Sequence, residues 1–285
     1  KNLPEYKHMV VFQALTWEPR DTDEEHHVSI FGKTEDGKSV CVTTAFDPYF
    51  FIKLSFGTSQ QTINEIYNIL CNKCPECITS YSMSKSKDVW GFQNNEEFYF
   101  MKINFKNLGT RRRVDSFLRR PLNLSSGSKF LKVYESNLDP VLRLMHRTGI
   151  QSTGWLDTGD KCVRSHLAKV DIDLWCNDWT TLKPVDRDDI APFNVASFDI
   201  ECNSSTGKFP NPNVAGDTCF QIAVSICKFG TDEPYEKVCL CYKKTEGPDV
   251  VSFDTEREML EAFKKYIDDK DVDILTGWNI FGFDL

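Results

Sequence analysis

Residues 194–207 read NVASFDIECNSSTG, and the second half of the chain is organised around them. Val195, Ala196, Phe198 and Ile200 supply the apolar bulk of a buried strand, yet Asp199 and Glu201 stand inside it two positions apart. Residues i and i+2 of a strand project from the same face, roughly 7 Å apart. Two charges at that separation repel by roughly 2.4 kcal/mol at an effective dielectric near 20. Water on an open face, basic partners or a divalent cation would relieve that repulsion. No Lys or Arg lies in the strand, and the strands expected beside it are apolar on both faces, so the balance falls to a cation.

Downstream, 219–229 (CFQIAVSICKF) and 235–243 (YEKVCLCYK) read as two further strands. Thr255 and Glu258 make a capping box for a helix over 256–268, with Met259, Phe263, Tyr266 and Ile267 on its apolar face. A fourth strand over 272–278 leads into NIFGFDL. Three strands in a meander, then a helix crossing to another strand, predict an α/β layer. Just past the fourth strand stands Asp284. Three carboxylates meeting at strand ends, with no His or Cys among them, make a hard-oxygen site suited to Mg²⁺ or Mn²⁺. Such sites commonly serve phosphoryl chemistry through two metals.

Upstream, 180–194 is polar, acidic and carries two prolines, which places a domain boundary there, with domains over 1–190 and 191–285. The first sixty residues are β-rich, with a hairpin at Asp36-Gly37 and a break at Asp47-Pro48, and predict a small barrel or curled sheet. Helices are expected over 60–71, 111–120 and 141–149, and strands over 98–105 and 161–176. The expected fold class is therefore α/β, α+β overall: a β-rich N-terminal domain with helices, followed by the second, layered one.

FDIEC, followed about eighty residues later by GWNIFGFD, resembles the first two exonuclease motifs of family B DNA polymerases. Gln221 within FQIA fits the same pattern. Residues 134–156 and 30–54 are similar to the segments that precede the exonuclease in polymerase delta and its large-DNA-virus relatives. The resemblance implies a ribonuclease H-like 3′–5′ exonuclease domain from about residue 191, belonging to a proofreading DNA-dependent DNA polymerase. It implies that Asp199 bridges two Mg²⁺ or Mn²⁺ ions, that Glu201 holds the ion that activates water, and that Asp284 holds the second. Asn279 and Phe283 match positions that contact or shape the primer 3′ end; equally, Asn279 can cap the helix carrying Asp284 and Phe283 can be core. The partners implied are DNA primer-template with a single-stranded 3′ end, deoxynucleotides, and a sliding clamp or accessory subunits. The family's third exonuclease motif, Tyr-x3-Asp, and its polymerase motifs are expected beyond Leu285, so the exonuclease domain as given is incomplete and little nuclease activity is expected of this chain alone. The competing reading is a non-catalytic nucleic-acid-binding or scaffolding module with a polymerase-like fold.

The charge balance of −8 argues against a generally basic coat, so contact with a polyanion requires a local patch or metal. One basic segment, with Arg111, Arg112, Arg113, Arg119 and Arg120, is a candidate for contact with a DNA backbone, although most charge runs are solvated helix faces. His26 and His27 read as surface strand residues, and Trp155 and Trp175 as core. Cys71, Cys74 and Cys77 in CNKCPEC tempt a metal reading, but a fourth ligand at the usual spacing is missing. The eleven cysteines stand mostly singly in apolar segments, which predicts an intracellular, reducing location, in the nucleus or at a cytoplasmic replication site. No run of about 18 apolar residues is present, and no membrane contact is expected. The chain opens without Met or a signal peptide, so residues upstream are expected to have been removed.

Overall fold

The computed structural model describes residues 9–282 as a sheet-rich α+β chain. Apart from the turn at 35–37, one compact unit runs to Arg187 and a second starts at Asp188. Among the described residues no helix is long and apolar enough to cross a membrane.

The first unit begins with the antiparallel meander β1 (Val11–Asp21), β2 (His26–Lys33) and β3 (Ser39–Ala45). Period-two alternation sends His26, Val28 and Ile30 into the core, and a Cβ on Gly32 would lie 1.9 Å from the Gln13 carbonyl oxygen. Of the barrel or curled sheet expected for the first sixty residues, β1–β3 form an antiparallel sheet and not a closed barrel. At Asp47-Pro48 the chain leaves this sheet, and β4 (Tyr49–Lys53) founds another. Then follow α1 (Gln60–Lys73), β5 (Ile78–Ser86), β6 (Phe98–Phe105) and α2 (Leu108–Leu118). A small hairpin of β7 (Leu122–Leu124) and β8 (Gly127–Lys129) precedes β9 (Lys132–Tyr134). The second sheet has the order β5-β6-β4-β9, and Phe50, Ile52, Met101, Ile103 and Phe105 pack one face of it on Ile66, Leu70, Val114 and Leu118 of the two helices.

α3 (Pro140–Thr148) starts on Asp139, which caps Val141 and Leu142, and stops at Gly149, whose φ of 77° closes the helix in the left-handed region. The chain then returns to the first sheet with β10 (Trp155–Asp157), β11 (Cys162–Arg164), β12 (Ile172–Cys176) and β13 (Lys183–Val185). Its full order is β11-β12-β3-β2-β1-β10-β13. The segment expected as mostly strand over 161–176 is the antiparallel pair β11 and β12.

His26 and Trp175 depart from their expected places, whereas the cysteines do not. His26 is fully buried, its Nδ1 2.7 Å from Asp21 Oδ1, because alternation places it on the core side of β2. Trp155 is core, but Trp175 lies on the open side of β12, edge-on to His27 at 4.9 Å. Cys74 and Cys77 pack in the core beneath α1, where burial raises the Cys74 thiol, and all eleven cysteines are free thiols.

The second unit is one mixed sheet. β14 (Asn194–Asn203), β15 (Thr218–Lys228) and β16 (Glu236–Tyr242) form the meander, and β17 (Val250–Phe253), unseen in the sequence, adds in parallel to β16. α4 (Glu256–Asp269) crosses over, and β18 (Ile274–Thr276) adds in parallel to β14 at the other edge. The Thr255–Glu258 capping box forms reciprocally, at 3.2 and 3.0 Å. α4 buries Met259 and Phe263 against Ala196, Phe198, Ile222, Val224 and Leu240, with the Phe198 and Phe263 rings 5.4 Å apart.

Candidate active site

Because α4 takes the face of β14 that bears Ala196 and Phe198, the alternate residues Ser197, Asp199, Glu201 and Asn203 form an exposed row on the opposite face. The carboxylates thus sit in water, where two charges at about 7 Å repel by only about 0.6 kcal/mol. This corrects the argument from apolar flanks: Phe198 and Ile200 point away from the carboxylates, and the strand tolerates both without a cation. What surrounds the row matters more. Asp199 lies opposite Ala223, Ser197 opposite Ser225, and Glu201 opposite Gln221, so small and neutral side chains leave a low shelf beside the carboxylates. No hydrogen bond or ion pair from a described residue engages either one.

A register shift falls immediately after Glu201, where Cys202 pairs with Cys219 and Phe220 is passed over. A bulge of this kind bends a strand and re-aims its neighbours. The start of β14 is pinned by a residue the sequence reading missed. Asn194 donates through Nδ2 to the carbonyls of Lys270 and Asp271 and accepts from Lys228 Nζ at 2.7 Å; its backbone N–H donates to Asp273 Oδ2, and its carbonyl accepts from Asp273 N. Its only sequence signal was a polar residue at the head of an apolar strand.

β18 delivers the second motif to the neighbourhood of β14. Val195, Ala196 and Ser197 pair with Ile274, Leu275 and Thr276, so the turn that follows arises beside Phe198 and Asp199. In that turn Asn279 has φ 58°, its carbonyl accepts from Gly282 N at 2.9 Å, and a Cβ on Gly282 would lie 2.6 Å from Asn279 Oδ1. Asn279 is exposed and shapes the turn with its side chain laid along it. Phe283 and Asp284 lie outside the described residues. Among the described residues no group of three or more His, Cys, Asp or Glu side chains is poised to hold a metal, and this applies equally to CNKCPEC.

The candidate arginines do not act as a set. Arg111 is buried, with Nη1 on the Leu138 carbonyl at 2.7 Å, and so is part of the fold rather than of a surface. Arg119 is exposed and meets Asp115 one turn away at 3.2 Å. Arg112, Arg113 and Arg120 are exposed.

A sequence profile described as "DNA polymerase family B, exonuclease domain" matches residues 131–285. The chain is 28% identical to a DNA polymerase of Acanthamoeba polyphaga mimivirus, over 96% of this chain and 17% of that protein. It is also 28% identical to the DNA polymerase delta catalytic subunit of Schizosaccharomyces pombe, over 97% of this chain and 27% of that one. Among solved structures, a family B DNA polymerase from Pyrobaculum calidifontis superposes with a TM-score of 0.69 at 18% identity, over 96% of this chain and 31% of its own. The chain therefore spans less than a third of the length of these relatives.

Proposed function

Since the chain belongs to the family B DNA polymerase exonuclease-domain family, we propose that it is the N-terminal and proofreading portion of a DNA-dependent DNA polymerase, removing mispaired 3′ nucleotides by hydrolysis. The observation that carries this reading is the exposed pair Asp199 and Glu201 on a low shelf, with the turn of the second motif arising beside them. Their uncommitted oxygens fit a hard divalent cation. Asp199 and Glu201, with Asp284, would hold Mg²⁺ or Mn²⁺, which when bound stabilises charge on a phosphoryl group under attack by water. The chain's own residues supply the rest. The small side chains of Ala223 and Ser225 leave room for a sugar-phosphate strand, the bulge after Glu201 sets the end of the shelf, and the Asn279 turn bounds it near Asp199.

A frayed, mispaired end suits such a site because its unpairing costs less than that of a matched end. The substrate is the single-stranded 3′ end of a primer-template. Deoxynucleotides, the sliding clamp and accessory subunits belong to the complete polypeptide. The test is to incubate the complete polypeptide with a 5′-labelled single strand and Mg²⁺, without deoxynucleotides. Stepwise shortening from the 3′ end that stops with a chelator is expected. A ladder indifferent to the chelator, or none at all, contradicts the reading.

A further inference from the structure

The strands of the second unit hold chemistry that the carboxylate shelf does not use. Among the described residues, strand register sets two cysteines directly opposite each other at two places, Cys162 against Cys176 in the first unit and Cys202 against Cys219 in the second. Residues directly opposite in an antiparallel pair have Cα atoms about 4.5–5.5 Å apart, inside the span of about 4.4–6.8 Å that a disulfide bridges. The two pairs differ in access. Cys162 and Cys176 are 2% and 1% exposed, sealed in the core of the first unit. Cys202 and Cys219 are both half-buried, where β14 ends and β15 begins.

The open pair stands at a sensitive point. Cys202 follows Glu201, and the bulge that passes over Phe220 separates the Glu201–Gln221 pair from the Cys202–Cys219 pair. Alternation along β14 turns Cys202 to the face of Phe198 and Ile200, away from the carboxylates, and Cys219 packs there against the core that α4 covers. The two thiols are hydrogen-bonded to each other, so their sulfurs are already neighbours. Cys219 is fixed from two further sides. Its backbone N–H donates to Glu256 Oε1 at 2.7 Å, in the first turn of α4, and its thiol donates to the Gln221 carbonyl at 3.6 Å. Residues 204–217 leave the sheet after Asn203 and return at Thr218, so the two cysteines stand at the neck of that loop.

We infer that Cys202 and Cys219 are a site of reversible oxidation by hydroperoxides, and that the disulfide they form acts on Glu201 from behind its strand. The Cys202 sulfur attacks the peroxide O–O bond and becomes a sulfenic acid, while the other oxygen leaves as water. The Cys219 sulfur, whose proton is held toward the Gln221 carbonyl, then displaces the sulfenic hydroxyl, which departs with that proton as a second water. One peroxide is reduced by two electrons and two thiols are oxidised to one S–S bond, which a thiol reductant reopens. The bond draws the sulfurs to about 2.05 Å, well inside any hydrogen-bonded separation, so the strands close on each other at the bulge and Glu201, one residue away, is re-aimed. The effect on catalysis rests on the nuclease reading; the bond itself does not.

The test treats the complete polypeptide with hydrogen peroxide, alkylates the remaining thiols, and digests it with trypsin without reductant for mass spectrometry. Residues 188–208 carry Cys202, and residues 209–228 carry Cys219 and Cys227. These two peptides are expected to be linked, two hydrogens lighter than their sum, before any link joins Cys162 to Cys176. The link should be lost on dithiothreitol and in Cys219→Ser or Cys202→Ala, and kept in Cys227→Ser. No link, a link that survives Cys219→Ser, or earlier linkage of Cys162 to Cys176 overturns the inference. After removal of peroxide, Mg²⁺-dependent shortening of a 5′-labelled single strand should be down by about tenfold or more, since a misplacement of about 1 Å can cost ~10²-fold, and should recover on reduction. Shortening by Cys219→Ser should be the same before and after peroxide. Undiminished shortening by the linked polypeptide overturns the action on Glu201. A reduced polypeptide that never shortens the strand contradicts the nuclease reading, and the linked peptides still decide the oxidation site.

Discussion

Gly277 holds its bare Cα against the backbone of Phe198: a Cβ there would lie 2.5 Å from the Phe198 carbonyl oxygen and 2.5 Å from Ile280 Cγ2. That closeness lets the chain leave β18 and turn immediately beside Asp199, so the spacing between the two motifs rests on an absent side chain. Gly277→Ala must push the turn away from β14. Overpacking of this kind costs about 1–3 kcal/mol, to be read as a lowered urea midpoint in the chain. An unchanged midpoint would show that the turn relaxes freely.

The open face of β14 has the opposite consequence for the carboxylates. Asp199→Ala and Glu201→Ala remove exposed charges that no described residue pairs, and surface changes of that kind move stability by no more than about 0.5 kcal/mol. A large loss in either variant would mean that the carboxylates support the fold.

α4 depends on its start. Thr255→Ala removes the acceptor for Glu258 N and breaks the reciprocal box, which costs about 1 kcal/mol. Thermal unfolding checks it, and Thr255→Ser should restore most of the loss.

Asp88 gives a pH signature in the first unit. Its side chain is nearly buried, and the Lys53 ammonium, with the Tyr134 hydroxyl, holds its carboxyl well below the usual carboxylate range. A depressed folded value means that the stabilisation is in place above the unfolded value of about 3.9 and is lost as pH falls below it toward the folded value. The urea midpoint of the wild-type chain should therefore drop more steeply than that of Asp88→Asn as pH is lowered from about 5 to about 2. Parallel profiles would contradict the assignment.

The two units differ in how much of them local sequence specifies. FYFMKINF is a strand in sequence and in structure because its alternation is unambiguous, and the Thr255–Glu258 pair marks α4 for the same local reason. β5, with five serines and lysines among its nine residues, carries too little apolar signal to be read alone and exists because β6 pairs along its length. β10, β11 and β13 have three residues each and are strands only because β1, β12 and β10 are beside them. At the site, the same-face placement of Asp199 and Glu201 followed from period two, but which face was wet depended on α4 landing on Phe198, a tertiary fact. Arg111 and His26 show the reverse error, since a charged or titratable residue in a polar segment gave no sign of its buried partner.

The measurement that tests the account most directly uses the complete polypeptide carrying Asp199→Ala together with Glu201→Ala, on a primer with a mismatched 3′ nucleotide. Shortening of the primer should fall by several orders of magnitude while extension of a matched primer proceeds at the wild-type rate. Undiminished shortening by the double variant would remove Asp199 and Glu201 from the chemistry and with them the proofreading reading of this shelf.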